Sequence, residues 1–306
     1  MPSEFELIKK YFDRPARSAA LGVGDDAALL HPHAGMELAV STDLLLEGRH
    51  FSAGADARKL GHKSLAVNLS DMAAMGAAPR WATLAIALPA ADERWLKEFS
   101  LGFFALAERF GVELIGGDTT RGPLCVCVTI LGEVPAGLAL FRAGARPGDD
   151  IWVSGELGGA ALGLAKPEIP AAAKRLHEPE PRVDLGEHLR GLASAAIDVS
   201  DGFGQDLGHI LERSGVGAVV RYEDLPKFPF TDLEMQRACV LSGGDDYELV
   251  FTSPQGVRDA VIALSSELKL ALTRVGSVQA GDAKLTVLDA QGRPMKVGRG
   301  FDHFKP

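Results

Sequence analysis

GVGDDAALL, residues 22–30, admits two readings that lead to different folds. Gly22, Gly24 and Ala27 match the G-x-G-x-x-A of a dinucleotide-binding turn, which offers helix N–H groups to a pyrophosphate. Asp25 and Asp26, however, stand where that turn receives negative charge, and the preceding RPARSAAL is a poor strand where the fingerprint requires a good one. We therefore read the stretch as an acidic turn whose carboxylates hold cations, a task that carboxylates elsewhere in the chain would share.

They recur at regular intervals. Asp43 closes STD after the alternating MELAV, Asp71 sits in NLSDMAAMG, Asp118 in IGGDTT, Asp198 and Asp201 bracket DVSD, and Asp245 and Asp246 fall in SGGDDYEL. Each stands close to glycine, serine or threonine, and we place most of them at strand ends or loops, where α/β proteins carry their chemistry. Acidic residues in such company are also ordinary turn and cap formers, so no single motif decides the matter. Together they do: two carboxylates ~5 Å apart at an effective dielectric of ~20 repel by roughly 3 kcal/mol, so a shared cleft would need cations. Hard oxygen ligands suit magnesium, which usually arrives with a phosphate-bearing substrate. GHKS at 61–64 lacks the upstream glycine of a P-loop, so any ATP chemistry is of another kind.

Between the acids, strand and helix signals alternate. A helix is expected from about Asp56 to Met75; WATLAIALP reads as a strand; Trp95, Phe99, Phe103, Leu106 and Phe110 recur at helical spacing between an Asp92 cap and a Gly111 stop. VELIG and LCVCVTILGEV are strands, followed by the softer PAGLALFRAGARPGDD, where a boundary divides domains at 1–137 and 138–306. DIWVSG, AAIDVS, GAVVRY, YELVFTS, LTRVGSVQ and KLTVLDA continue as strands, with a helix over GFGQDLGHILERSG. GELGGAALG either brings backbone N–H groups to a phosphate or lets helix and sheet pack closely, and packing is preferred. Residues 166–181 read as a surface excursion. The class is α/β (α+β), in two domains.

Composition bounds the partners. At 306 residues and 46% hydrophobic content the chain can bury a large core, and a net charge of −9 without a basic run gives no footprint for nucleic acid or an anionic membrane. The start, MPSEFELIKKYFDR, is amphipathic and charged rather than a leader, so a cytoplasmic protein is expected. The three cysteines show no metal spacing and read as buried and reduced; Trp81, Trp95 and Trp152 read as core, and His31 and His33 as structural or surface.

In order and spacing, GVGDDAALL, STDLLLEGRHF, KSLAVNLSDMAAMGAAPRW, LIGGDTTRGP, RAGARPGD, IDVSDGFGQDLGHI and SGGDDYELVFT resemble the thiamine-monophosphate kinases over nearly the whole chain. GDD, STD and NLSDMAAMG are shared with the wider aminoimidazole ribonucleotide synthetase and selenophosphate synthetase superfamily, whereas STD with GRHF, GGDTTRGP and the DYEL segment point to the kinase branch. The resemblance implies direct transfer of the γ-phosphoryl group of ATP to thiamine monophosphate with several Mg²⁺ ions. It also implies an amino-terminal metal- and ATP-binding domain that forms a homodimer, and a carboxy-terminal domain completing the active cleft. Carried over by motif, Asp26, Ser41, Thr42, Asp43, Asp71, Asp118, Asp198 and Asp201 resemble metal ligands. Gly117, Asp118, Arg142 and Ser200 resemble ATP contacts, and His50, Asp245 and Phe301 substrate contacts. Arg142 is also a candidate to stabilise the transferring phosphoryl group, since a guanidinium grips two oxygens at once; no protein nucleophile is assigned. The motif of these kinases usually reads GGEDYEL, so the acid at Asp245 is one methylene short. The competing expectations are a sister ATP-dependent synthetase and a catalytically silent nucleotide- or thiamine-phosphate-binding protein.

Overall fold

The computed structural model describes residues 3–301 and residue 304. The chain divides into two compact units, Met1–Met72 with Ala77–Gly137, and Ala73–Gly76 with Leu138–Pro306.

The first unit runs α1 (Glu4–Tyr11), β1 (Met36–Leu46), α2 (Ala57–Ala74), β2 (Ala78–Leu88), α3 (Glu93–Phe110), β3 (Glu113–Arg121) and β4 (Cys125–Pro135). Its sheet has the order β1-β4-β2-β3, antiparallel except for the β2/β3 pair. Period-two alternation assigns the faces: Leu84, Ile86, Leu88, Val126, Val128 and Ile130 are buried. The alternate residues of β1, Leu38, Val40, Leu44 and Leu46, stand exposed. Asp92 caps α3 by accepting from the N–H groups of Arg94 and Trp95, Gly111 closes it in the left-handed conformation, and Phe99, Phe103 and Leu106 form its buried stripe. Trp95 is half-buried, stacked on Phe99 at 5.0 Å.

Two glycines let α2 and α3 meet backbone to backbone. A Cβ at Gly61 would lie 2.1 Å from the Phe99 carbonyl oxygen, and one at Gly102 would lie 1.8 Å from that of Arg58.

The second unit runs β5 (Asp150–Ser154), α4 (Gly159–Ala165), α5 (Pro170–His177), α6 (Val183–His188), β6 (Ala195–Asp198), α7 (Phe203–Ser214), β7 (Gly217–Arg221), α8 (Leu233–Ser242), β8 (Leu249–Ser253), α9 (Arg258–Glu267), β9 (Leu272–Gln279) and β10 (Leu285–Leu288). The sheet order is β10-β7-β9-β5-β8-β6, mixed because β10 and β7 pair in parallel while the other pairs are antiparallel. Ile151, Val153, Phe203, Leu207, Ile210, Val220, Val250 and Val275 fill its core. Buried Asp150 is held by Arg258 at 2.7 and 2.9 Å and by Arg274 at 3.2 Å.

Several expectations are corrected. β1 does not end at Asp43 but runs to Leu46, because β4 continues the ladder through the pairing of Leu46 with Cys125. β3 likewise passes Asp118 and ends at Arg121. Residues 166–181 are more than an excursion: α5 buries Ala172 and Leu176. Of the cysteines Cys239 is buried, whereas Cys125 and Cys127 are half-buried on the open face of the first sheet; all three are free.

Candidate functional site

The acidic turn of the first unit is a closed loop, not the start of a helix. Leu21 and Leu29 exchange backbone hydrogen bonds of 3.2 and 3.0 Å, and Asp25 Oδ1 accepts the Asp26 N–H at 2.9 Å. No helix lies between Tyr11 and β1 among the described residues, which removes the dinucleotide reading of 22–30. The loop walls a pocket of about 630 Å³ together with α1 and residues 114–119 of β3. The pocket joins Asp25, Asp26, Gly117 and Asp118 to the apolar side chains of Phe5, Ile8 and Phe12.

β3 reaches that pocket through an irregularity. Ala82 pairs with Leu114 but Thr83 with Gly116, so one extra residue bulges the strand ahead of Gly117 and Asp118. Gly117 has φ 146°, and a Cβ there would lie 1.9 Å from the Leu84 carbonyl oxygen; no other residue fits.

A second acidic set lies on the covered face of the same sheet. Ser41 Oγ donates to Asp71 Oδ2 at 2.5 Å, so β1 and α2 meet through polar groups. Asp43, two residues along the same face, has its pKa pushed up to about 7, first by burial and then by the charge of Asp71. Thr42 points the other way and hydrogen-bonds Thr129 at 2.8 Å, which sets its side chain apart from this set. His50 lies in the turn after β1, its Nδ1 accepting the Leu46 N–H at 3.0 Å, so any proton on the neutral ring sits on Nε2.

The second unit gathers a third set where β6 enters α7. Asp198 is buried at the strand end, and Asp206, in the first turn of α7, accepts the N–H groups of Asp201 and Gly202, both at 3.0 Å. Burial, then the charges of Asp198 and Asp201, push the Asp206 pKa up to about 8. Asp206 went unnoticed in the sequence; the available signal was an acid in the first turn of a helix that follows an acidic strand end. Phe301 joins the set through its N–H to the Asp201 carbonyl at 3.1 Å and is 43% exposed.

SGGDDYEL is fastened against the same strand end. The Asp245 N–H donates to Ser200 O and the Tyr247 N–H to Val199 O, each at 2.9 Å. Asp245 and Tyr247 hold left-handed backbone, φ 66° and 51°, at a cost of ~1–2 kcal/mol each. Asp246 is buried and accepts the N–H groups of Gly158 and Ala160 at 2.6 and 3.2 Å. The amino-terminus of α4 thus faces a carboxylate of its own chain, which decides GELGGAALG in favour of packing. Glu248 is also buried and accepts from Arg182 at 2.6 and 2.5 Å, Arg175 at 2.8 Å and Ser154 Oγ at 2.7 Å. Arg142 is exposed in the segment preceding β5.

The donors fit magnesium. Every set offers oxygen, and burial leaves Asp43 and Asp206 short of a compensating positive charge. Among the described residues no three His, Cys, Asp or Glu side chains close into a cage of their own. Magnesium needs none, being held by one or two carboxylates with water and substrate phosphate.

Two family models divide the chain as its units do. That for the AIR synthase related protein N-terminal domain matches residues 24–134, and that for the C-terminal domain matches residues 146–288. These define the class. A thiamine-monophosphate kinase of Salmonella typhimurium is 45% identical over 98% of both chains. The crystal structure of the thiamine-monophosphate kinase from Stenotrophomonas maltophilia superposes with a TM-score of 0.85 at 45% identity, covering 95% of this chain and 96% of that one. A structure of AaThiL complexed with AMPPCP and TMP gives 0.76 at 29% identity, covering 98% and 96%. The chain belongs to the thiamine-monophosphate kinase family, within the AIR synthase related class.

Proposed function

We propose that this chain transfers the γ-phosphoryl group of ATP to the phosphate of thiamine monophosphate, giving thiamine diphosphate and ADP. The observation that carries the reading is the meeting of Asp25, Asp26, Gly117 and Asp118 in one pocket of a chain whose relative is complexed with AMPPCP and TMP over nearly its full length.

In this reading the first unit binds ATP and the metal ions, with Gly117 admitting the nucleotide phosphates close to the backbone, and Asp26, Ser41, Asp43, Asp71 and Asp118 as ligands. A metal role for Thr42 rests on its backbone carbonyl, since its hydroxyl is engaged elsewhere. The second unit adds Asp198 and Asp201, with Ser200 and Arg142 on the nucleotide. His50, Asp245 and Phe301 hold thiamine monophosphate, Asp245 opposite the cationic thiazolium. Magnesium, when bound, neutralises the donor and acceptor phosphates that must approach each other. The acceptor oxygen is already largely ionised near neutral pH, so the chain needs no general base; its residues align donor and acceptor. The use of ATP as co-substrate is the ground for reading the chain as cytoplasmic. Among the described residues no helix is long and apolar enough to cross a membrane.

Incubation with ATP, Mg²⁺ and thiamine monophosphate is expected to yield thiamine diphosphate by chromatography, with none from free thiamine or without metal. Intact ATP binding with no product would move the chain to a sister synthetase or a silent binder.

The homodimer has a physical ground in the open sheet face, where Leu38, Val40, Leu44 and Leu46 expose an apolar row interrupted only by Thr42, Val40 at 60%. A second copy of the same face would cover it. The pair Val40→Asp and Leu44→Asp is expected to convert a dimer to a monomer at micromolar concentration in sedimentation velocity; an unchanged dimer would place the interface elsewhere.

A further inference from the structure

The pocket of the first unit has two unlike walls. The acidic loop and the bulged strand β3 bring Asp25, Asp26 and Asp118 to it, whereas α1 brings Phe5, Ile8 and Phe12. Those three recur at i, i+3 and i+7 and so share one stripe of the helix, while Leu7 lies off the stripe and is buried. The stripe is covered at one end only. Phe12 is buried with its ring edge-on to Phe99 at 6.5 Å, Ile8 is half-buried, and Phe5 is 79% exposed. The helix itself is fastened at both ends: Ser3 and Glu6 close a capping box over its first turn, and Lys10 and the Tyr11 hydroxyl both donate to Glu93 of α3. An aromatic ring is thus held in a fixed place beside a cavity that its own chain does not fill.

We propose that this stripe of α1 seats the base of ATP, with Phe5 stacking on the ring. The inference rests on the reading of the chain as an ATP-dependent kinase and adds the part of the nucleotide that reading leaves without a partner. ATP joins a triphosphate, which needs metal and close approach to backbone, to a flat uncharged ring. The three aspartates and Gly117 suit the first, and among the walls of the pocket α1, backed by Leu114 and Ile115, suits the second. An uncharged base gives up little hydration against such a wall, and its face stacks on a phenyl ring whatever its hydrogen-bonding edge. Thiamine monophosphate suits the wall less well. Its thiazolium is charged and would be desolvated there, and His50, read as its contact, does not line the pocket.

The test compares two probes on the full chain by calorimetry with Mg²⁺ present: a non-hydrolysable ATP analogue, and inorganic tripolyphosphate, which keeps the metal-binding chain and lacks the base. Phe5→Ala removes little buried surface, so the fold is not at stake. It is expected to weaken the analogue about tenfold, the worth of one base–aromatic stack, and to leave tripolyphosphate unchanged. Phe5→Tyr keeps the ring and is expected to bind the analogue within about twofold of wild type. In turnover, Phe5→Ala should raise KM for ATP and leave KM for thiamine monophosphate alone. Unchanged affinity for the analogue, equal weakening of both probes, or a rise in KM for thiamine monophosphate alone would each overturn the proposal, the last by placing the other substrate on α1. Protein that binds the analogue through Phe5 yet makes no thiamine diphosphate would overturn the kinase reading and leave α1 as the seat of a nucleotide base; protein that binds no analogue would overturn both.

Discussion

Asp43→Asn is expected to lower kcat by ~100-fold or more, yet to leave the metal-free protein at least as stable as the wild type. The two effects have one cause. Asp43 is half-buried two residues along β1 from Ser41, which holds Asp71, and its pKa stands at about 7 because desolvation and the Asp71 charge both oppose ionisation. In the unfolded chain the group would titrate near its ordinary value of 3.8. The folded form therefore retains a proton that the unfolded form releases, and stability falls as pH rises from about 4 through 7. Asparagine removes that loss, so the variant's metal-free melting temperature should exceed the wild type's at pH 8 and match it at pH 4. It also removes a charge that the proposed reaction uses on metal ions, where each ~1.4 kcal/mol of lost stabilisation costs a factor of ten. Asp71→Asn should behave alike in turnover. Either variant with wild-type turnover across magnesium concentrations would exclude that residue from the ligands.

Glu248→Ala has the largest expected effect on stability. The carboxylate is 1% exposed and meets Arg182 and Arg175, whose side chains are 13% and 25% exposed. Removing it strands both guanidiniums and the Ser154 hydroxyl, and breaking a buried ion pair from one side costs ~3–5 kcal/mol. At ~2–4 °C per kcal/mol for a unit of this size, the calorimetric transition of the second unit should fall by roughly 10 °C. A shift under about 2 °C would show that solvent or a neighbouring group takes over the arginines.

Much of this architecture was legible in the residues. α3 could be read from its Asp92 cap, aromatic stripe and Gly111 stop because each is a local signal, and LTRVGSVQ gave β9 for the same reason. Strand ends were harder. Asp43 and Asp118 look terminal because polar residues gather there, but their strands continue on hydrogen bonds to partners distant in sequence. The acids themselves were visible as a recurring pattern, while their division of labour was not. Asp246, Glu248 and Asp206 serve the fold through a helix end, two arginines and two backbone amides, and those partners become neighbours only in the folded chain. Arg175, which meets Glu248, lies in a Pro-, Ala- and Lys-containing segment that carries no apolar periodicity strong enough to announce what it packs against.

The crossing of α2 and α3 has a bearing on how such an enzyme can change over time. Asp71 rides on α2 ten residues beyond Gly61, about 15 Å along a stiff rod, so whatever displaces the rod at the crossing displaces the carboxylate too. Gly61 and Gly102 touch no reacting group, yet a single added methyl at either would have to push a backbone aside. Drift in surface residues is cheap for this chain, and re-tuning the pocket through α1 is open to it. The spacing of those two helices is not negotiable, and lineages that explore new acceptors must do so with Asp71 held where the glycines leave it.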